Sequence, residues 1–528
     1  MYTRIIPLLH IAVISVILIG CSEDSEVVPE LTFENQDIPV AEKMKKALTK
    51  DYVAQLGIND DDLKYLKSFY NERNFAPIWI NDSTLTQNGE NVKQVMKRPE
   101  QLGVTAGRHK CKKGTSFIHD ELLNTYLIAR VANDLENGLI DYEKKKKKPV
   151  GLISPTRLKE YTTLSDSVDV RLQFLDLGPK DSSYVVLSKG LMSLMDNYPM
   201  DTSTFKVHTI KKDTLEAYKR ATEALLSKGY LKIDNDTNEM FLALKEFQLQ
   251  NGLKPDAVIG KYTSRALNES TVHRRDRIIL AMDKIRTHET YPEKYIHINI
   301  PEYKLRFYIN DSLKSDHNIV VGKDKNQTPE LTSKLKTIVA YPFWNVPYSI
   351  SSREILPAVK YDSGYLAKHD YKIYKNGEEV DPSAVNWSRI GQTSFPYKVV
   401  QGPGRSNSLG IIKFQFPNSH SVYFHDTPSK GLFGADVRAY SHGCMRTQNP
   451  VELAAAILER DQKGYRENDI IVDSLDSIMF KGDRRAIKLV DPIPVYIEYV
   501  TVVRKGEDMI THIDIYGRDE EYLKIMRE

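Results

Sequence analysis

The chain has 528 residues, 41% hydrophobic and 27% charged, with 74 Lys and Arg against 71 Asp and Glu. That balance describes a multidomain globular protein and excludes a disordered chain, while a formal charge of +3 leaves no basic footprint for nucleic acid. Three cysteines, Cys21, Cys111 and Cys444, are too few for a disulfide framework, so each needs its own explanation.

At the N-terminus Arg4 leads an apolar run, IIPLLHIAVISVILIG, that ends directly at Cys21. A basic lead, an extreme terminal position and a length short of the ~20 residues of a membrane span read as an export signal. The run resembles a bacterial lipoprotein signal, with LIGC at 18–21 as its lipobox. The resemblance implies a signal peptide at 1–20, acylation of Cys21 and an acidic linker over 21–40. The following CSEDSE resembles the export tag of some Bacteroidetes lipoproteins. The expected location is the cell envelope, lipid-anchored at the outer membrane and facing the periplasm, with surface exposure as the alternative.

Residues 41–212 are expected to form a mainly helical domain: in ELLNTYLIARVANDLENG, Leu123, Leu127, Val131 and Leu135 fall on one helical face. Phe75, Ile78 and Trp79 in NERNFAPIWIN read as a packing edge. The run Lys144–Lys148 reads as a solvated loop, because adjacent like charges repel. Cys111 has basic neighbours but no arrangement that suggests chemistry. Residues 213–268 make a small helical unit, with Leu215, Tyr218 and Leu225 striping one helix and Met240, Leu244 and Phe247 another.

From about 295 the pattern turns to short Val, Ile, Phe and Tyr-rich runs between Gly, Pro, Asn and Asp, predicting a mainly β domain over 269–510. Between Trp344 and Pro396 this pattern weakens, and 345–396 reads as an inserted lid with little regular structure. Residues 511–528 are taken as a C-terminal tail. The fold class is thus multidomain α+β.

FHDTP at 424–428 and YSHGCMR at 440–446 set two histidines and a cysteine within twenty residues of one another. If the second segment is extended, His442 and Cys444 share a face and His425 approaches from the preceding strand. An imidazole that accepts the thiol proton raises the thiolate fraction and returns the proton to a leaving group, which suits acyl transfer. Gly443 lets backbone N–H groups approach a developing oxyanion. Arg446 suits a substrate carboxylate or an internal one. Asn449, Pro450 and Glu452 spell a helix start that would anchor the loop. Zinc on His425, His442 and Cys444, or simple packing of the histidines, are the rival readings. GPGRSNSLG at 402–410 lacks the Walker and Rossmann patterns and reads as a turn.

At these residues the sequence resembles the L,D-transpeptidase family, in its large branch with a helical scaffold and a peptidoglycan-binding-like module. The motifs are INIPEYKLRFY, TPE at 328–330, WNVP at 344–347, QGPGRSNSLGIIKFQFPN at 401–418, VYFHDTP and YSHGCMR. ALKEFQLQNGLKPDAVIGKYTSRAL resembles the core of a three-helix peptidoglycan-binding module through Phe247, Gln248, Gly252, Leu253, Asp256, Gly260, Thr263, Ala266 and Leu267. The resemblance implies Cys444 as nucleophile, His425 as general base, and His442 with Gly443 ordering the site and its oxyanion hole. It implies Arg446, Tyr440 and Trp344 as substrate contacts, and no cofactor or metal. The substrates would be a peptidoglycan tetrapeptide donor and a stem-peptide acceptor, joined in a 3→3 cross-link with release of D-alanine. The alternatives are an L,D-carboxypeptidase and a non-catalytic peptidoglycan-binding lipoprotein. The resemblance identifies no protein partner.

Overall fold

The computed structural model describes residues 38–109, 116–232, 237–288, 290–461 and 472–528. The signal, Cys21 and Cys111 lie outside the described residues. The chain falls into two units, residues up to 196 with 278–287 and 524–528, and residues 197–277 with 288–523. Among the described residues no helix is long and apolar enough to cross a membrane.

The first unit is helical. Its helices begin at side-chain caps that spare the free N–H groups of the first turn: Asn59 before Asp60–Asn71, Thr86 before Gln87–Lys97, and Ser116 with His119 in a capping box before Phe117–Asn137. Phe117–Asn137 buries Leu123, Val131 and Leu135 but also Glu121, Asn124, Thr125 and Asp134, far more than one apolar stripe. Glu121 explains the FAPIW segment. Its carboxylate accepts from Ile78 N at 2.9 Å, Trp79 N at 2.7 Å and the Tyr70 hydroxyl at 2.7 Å, while Trp79 Nε1 donates to Thr125 Oγ1 at 2.9 Å. Lys144–Lys146 are exposed at the tip of a hairpin in which Ile140–Asp141 pairs with Lys146–Lys147.

In the second unit the helices Thr214–Ser227, Thr237–Gln250 and Lys261–Leu267 share one core. The first of them packs through Ala217, Ala221, Ala224 and Leu225, whereas Leu215, expected in its stripe, is 83% exposed. Leu225 and the partly buried Tyr218 do pack on this core, and small side chains complete the close helix contact that Leu215 was expected to share. Gln248 is a buried hub: its amide donates to Asp256 Oδ1, Val258 O and Thr263 Oγ1 and accepts from Ala257 N at 2.8 Å, fixing the NGLKPDAVIG turn. Gly252 adopts φ +63°, and a Cβ there would sit 2.4 Å from His512.

The β domain is built from nine strands: β1 (Lys294–Asn299), β2 (Lys304–Ile309), β3 (Ser312–Gly322), β4 (Leu331–Ala340), β5 (Ile412–Gln415), β6 (Phe424–His425), β7 (Ala439–Ser441), β8 (Met445–Thr447) and β9 (Arg485–Glu498). Their order is β7-β3-β8-β6-β5-β4-β9-β1-β2, and β2 also pairs with β3, so the sheet closes into a barrel with β7 outside the ring. The ladders are antiparallel except β6–β8, β1–β9 and β3–β7. The fourteen residues of β9 bend at a register shift between Lys488 and Ile493, where Pro492 cannot donate to a ladder. Alternation sends Ile298, Phe307, Ile338, Phe414, Phe424, Met445 and Val495 into one core.

The stretch after Trp344 departs from expectation, because it is regularly folded. Trp344–Asn345, Tyr371–Lys375, Glu378–Val380 and Lys398–Gln401 form a separate four-stranded sheet. With short helices they bury Val346, Ile355, Leu356, Val359, Ile373, Phe395 and Val399. The terminal residues also fold: Arg518–Arg527 is a helix whose first turn is capped by Asp514, which accepts from Arg518 N at 3.0 Å and Asp519 N at 3.1 Å.

Candidate active site

The site follows from strand register. Phe414, Phe424 and Met445 enter the barrel core, so the residues one step along point to the opposite face. Lys413 pairs with His425, and His425 with Arg446, across β5, β6 and β8. They form one row on the outer face, with strands ~4.8 Å apart. Just before β6 is Tyr423, whose carbonyl accepts from Met445 N at 3.1 Å and which therefore lies beside Cys444. The rings of Tyr423 and His425 are 5.6 Å apart.

Cys444 sits in a bend between β7 and β8, not in a strand. Gly443 takes φ +112°, a backbone conformation that favours glycine, and its carbonyl accepts from Thr328 Oγ1 at 2.8 Å. Ser441 Oγ donates to Cys444 O, and Gly443 N donates to Ser441 Oγ at 3.3 Å. The bend breaks the expected same-face relation of His442 and Cys444. His442 turns outward, and its Nε2 meets Glu354 Oε1 of the inserted segment at 2.5 Å. The Gly443 N–H is thus engaged by Ser441.

His425 is buried. Its Nδ1 lies 2.5 Å from the Asp426 carbonyl, which makes Nδ1 the protonated nitrogen, and the Leu409 backbone is a second neighbour of the ring. Burial, with Arg446 and Lys413 nearby, lowers its pKa to about 3. Burial also pushes the Cys444 thiol up, against contacts from Tyr423 and Lys413 that pull it down. The resting pair is therefore thiol and neutral imidazole. Asp426 is fixed by Ile411 N at 3.0 Å and by Lys430, and it fills the space where a Cβ on Gly410, at φ +58°, would collide. Neither Arg446 nor Lys413 meets a carboxylate among the described residues, and burial lowers the pKa of both.

Tyr440 is 49% exposed at the edge of this face, and Trp344 is half-buried in the first strand of the insert. The structure adds four residues that the sequence reading left without a role: Thr328 under Gly443, Glu354 on His442, and Tyr423 and Lys413 around the sulfur. Thr328 was visible within TPE. Tyr423 was visible as the residue two before His425 in an extended stretch. Among the described residues no group of three or more His, Cys, Asp or Glu is placed to hold a metal.

A thiol, a neutral imidazole and two cations that meet no carboxylate among the described residues are thus gathered at one face of a closed barrel. Comparison with known proteins gives the domain. Residues 293–472 match the L,D-transpeptidase catalytic domain, and residues 64–191 match a scaffold domain. The chain is also 35% identical over 229 residues to a Haemophilus influenzae protein named "Putative L,D-transpeptidase". That match covers 43% of this chain and 45% of the relative, so it spans less than half of each. The chain thus joins an L,D-transpeptidase-like catalytic domain to a helical scaffold region.

Proposed function

We propose that the protein is a peptidoglycan L,D-transpeptidase. Cys444 passes its proton to His425 Nε2 and attacks the carbonyl between the L-centre of a stem diamino acid and the terminal D-alanine. The Cys444 N–H holds the oxyanion, D-alanine leaves with the proton from His425, and a thioester remains. The side-chain amine of a second stem breaks the thioester, giving a 3→3 cross-link and the free thiol. Bond energy is exchanged, so no nucleotide or cofactor enters. Arg446 takes a stem carboxylate, Tyr440 and Trp344 flank the peptide, and the inserted sheet acts as a lid held by Glu354. The observation that carries this reading is Cys444 beside the His425–Arg446 row, inside the matched catalytic domain. The three-helix unit at 213–268 is assigned to the wall as a peptidoglycan-binding module, and Cys21 to a lipid anchor in the envelope.

The test is incubation of the full chain with tetrapeptide muropeptides, followed by mass analysis. Cross-linked dimers with D-alanine are expected, and Cys444→Ala should lower turnover by more than ~1000-fold while leaving thermal unfolding unchanged. Tripeptide monomers with D-alanine would mean that water is the acceptor and the enzyme an L,D-carboxypeptidase. Binding to wall without turnover or a Cys444 adduct would make the chain a non-catalytic wall protein.

A further inference from the structure

The acyl-transfer scheme leaves unused the side chain that reaches the sulfur. No hydrogen bond joins Cys444 to His425 among the described contacts; the polar group at the sulfur is the Tyr423 hydroxyl. The same hydroxyl contacts the Trp344 indole. An indole N–H only donates, so the phenol oxygen is its acceptor and the phenol hydrogen is left for sulfur. The Lys413 ammonium lies 3.8 Å from the centroid of the Tyr423 ring and meets no carboxylate among the described residues. Trp344 at the start of the insert and Lys413 on β5 thus both meet Tyr423, just before β6, which in turn meets the Cys444 sulfur before β8.

We propose that Tyr423 is a catalytic residue that donates a hydrogen bond to the Cys444 sulfur while it carries negative charge, with Lys413 and Trp344 as positioning residues for that donor. The proposal rests on the acyl-transfer reading. In the forward step the thiol proton goes to His425 Nε2 and the S–C bond forms. Tyr423 keeps its proton throughout, and its O–H contact with sulfur tightens as charge gathers there. It slackens in the thioester and tightens again when the C–S bond breaks and sulfur departs. Burial and the neighbouring sulfur hold the phenol well above its ordinary pKa, which keeps it a donor. An imidazole with a pKa of about 3 is a poor partner for a thiolate, and a donor on the half-buried sulfur supplies what the imidazole does not.

The experiment is the pH dependence of Cys444 alkylation by iodoacetamide in the full chain without substrate, run beside D-alanine release from tetrapeptide muropeptides. Tyr423→Phe should raise the thiol midpoint by about one pH unit and slow alkylation at neutral pH about tenfold. Its kcat should fall with KM unchanged, and its thermal unfolding should match wild type. Lys413→Met should shift the midpoint in the same direction by less, with Lys413→Arg restoring it. An alkylation profile for Tyr423→Phe that overlays wild type overturns the proposal, whatever D-alanine release shows. A shifted profile in a chain that releases no D-alanine upholds Tyr423 and instead defeats the transpeptidase reading.

Discussion

The three-helix unit at 213–268 and the strand group around Cys444 both carry dense sequence motifs, yet the motifs mean different things. In the helical unit Phe247, Gln248, Leu253, Thr263, Ala266 and Leu267 are buried, and Gln248 spends its amide on the turn that follows. That motif encodes a fold. Around Cys444 the core positions Phe414, Phe424 and Met445 alternate with Lys413, Tyr423, His425 and Arg446 on the other face, where two cations meet no carboxylate among the described residues. That motif encodes a fold on one face and a reactive surface on the other. A buried motif predicts stability, whereas a two-faced one predicts chemistry.

The contrast can be broken most sharply at Phe247. Phe247→Ala should destabilise the helical unit by ~3–5 kcal/mol, read by chemical denaturation, while D-alanine release from soluble muropeptides at moderate temperature stays near wild type. Equal loss of both would mean that the helical unit belongs to the catalytic machinery.

His425 tests the opposite face through acid stability. Its folded pKa is about 3, against ~6.5 in an unfolded chain. Between those values the unfolded chain binds a proton that the folded chain refuses. The contribution is fully present above pH 6.5 and is lost as pH falls towards 3, at up to ~1.4 kcal/mol per pH unit. Melting temperatures measured across this window should fall less steeply for His425→Gln than for wild type. Buried His512, lowered to about 4, tilts both curves the same way and leaves a residual slope. Parallel curves would show that His425 is not held neutral.

The smallest effect is expected at Glu354. Its contact with His442 is half-exposed and worth at most ~1 kcal/mol, so Glu354→Gln should leave stability unchanged. It should alter kcat/KM on muropeptides by no more than a few-fold, through the insert. A loss of several hundred-fold would move Glu354 from tether to chemistry.

The barrel was legible because its strands are runs of β-branched and aromatic residues, such as YIHINI and GIIKFQF, long enough for alternation to show. The insert was not, because its strands run two to five residues and its core is assembled from residues as far apart as Val346 and Val399. Cys444 and His425 could be read directly from their types and spacing. The bend at Gly443 could not, since glycine permits both an extended and a left-handed backbone, and only the Thr328 and Ser441 contacts select one. Leu215 misled because side-chain size outweighed position, the contact belonging to Ala217, Ala221 and Ala224.

Trp344–Asn345 and Val400–Gln401 pair with each other, so the inserted sheet leaves the barrel and returns to it through a single doorway. Its two ends attach between β4 and β5, the second of which carries Lys413 of the row beside Cys444. The doorway separates a sheet with a core of its own from the barrel strands that carry the row. A graft of a foreign insert at these two short strands is the natural way to give the same thiol a new partner.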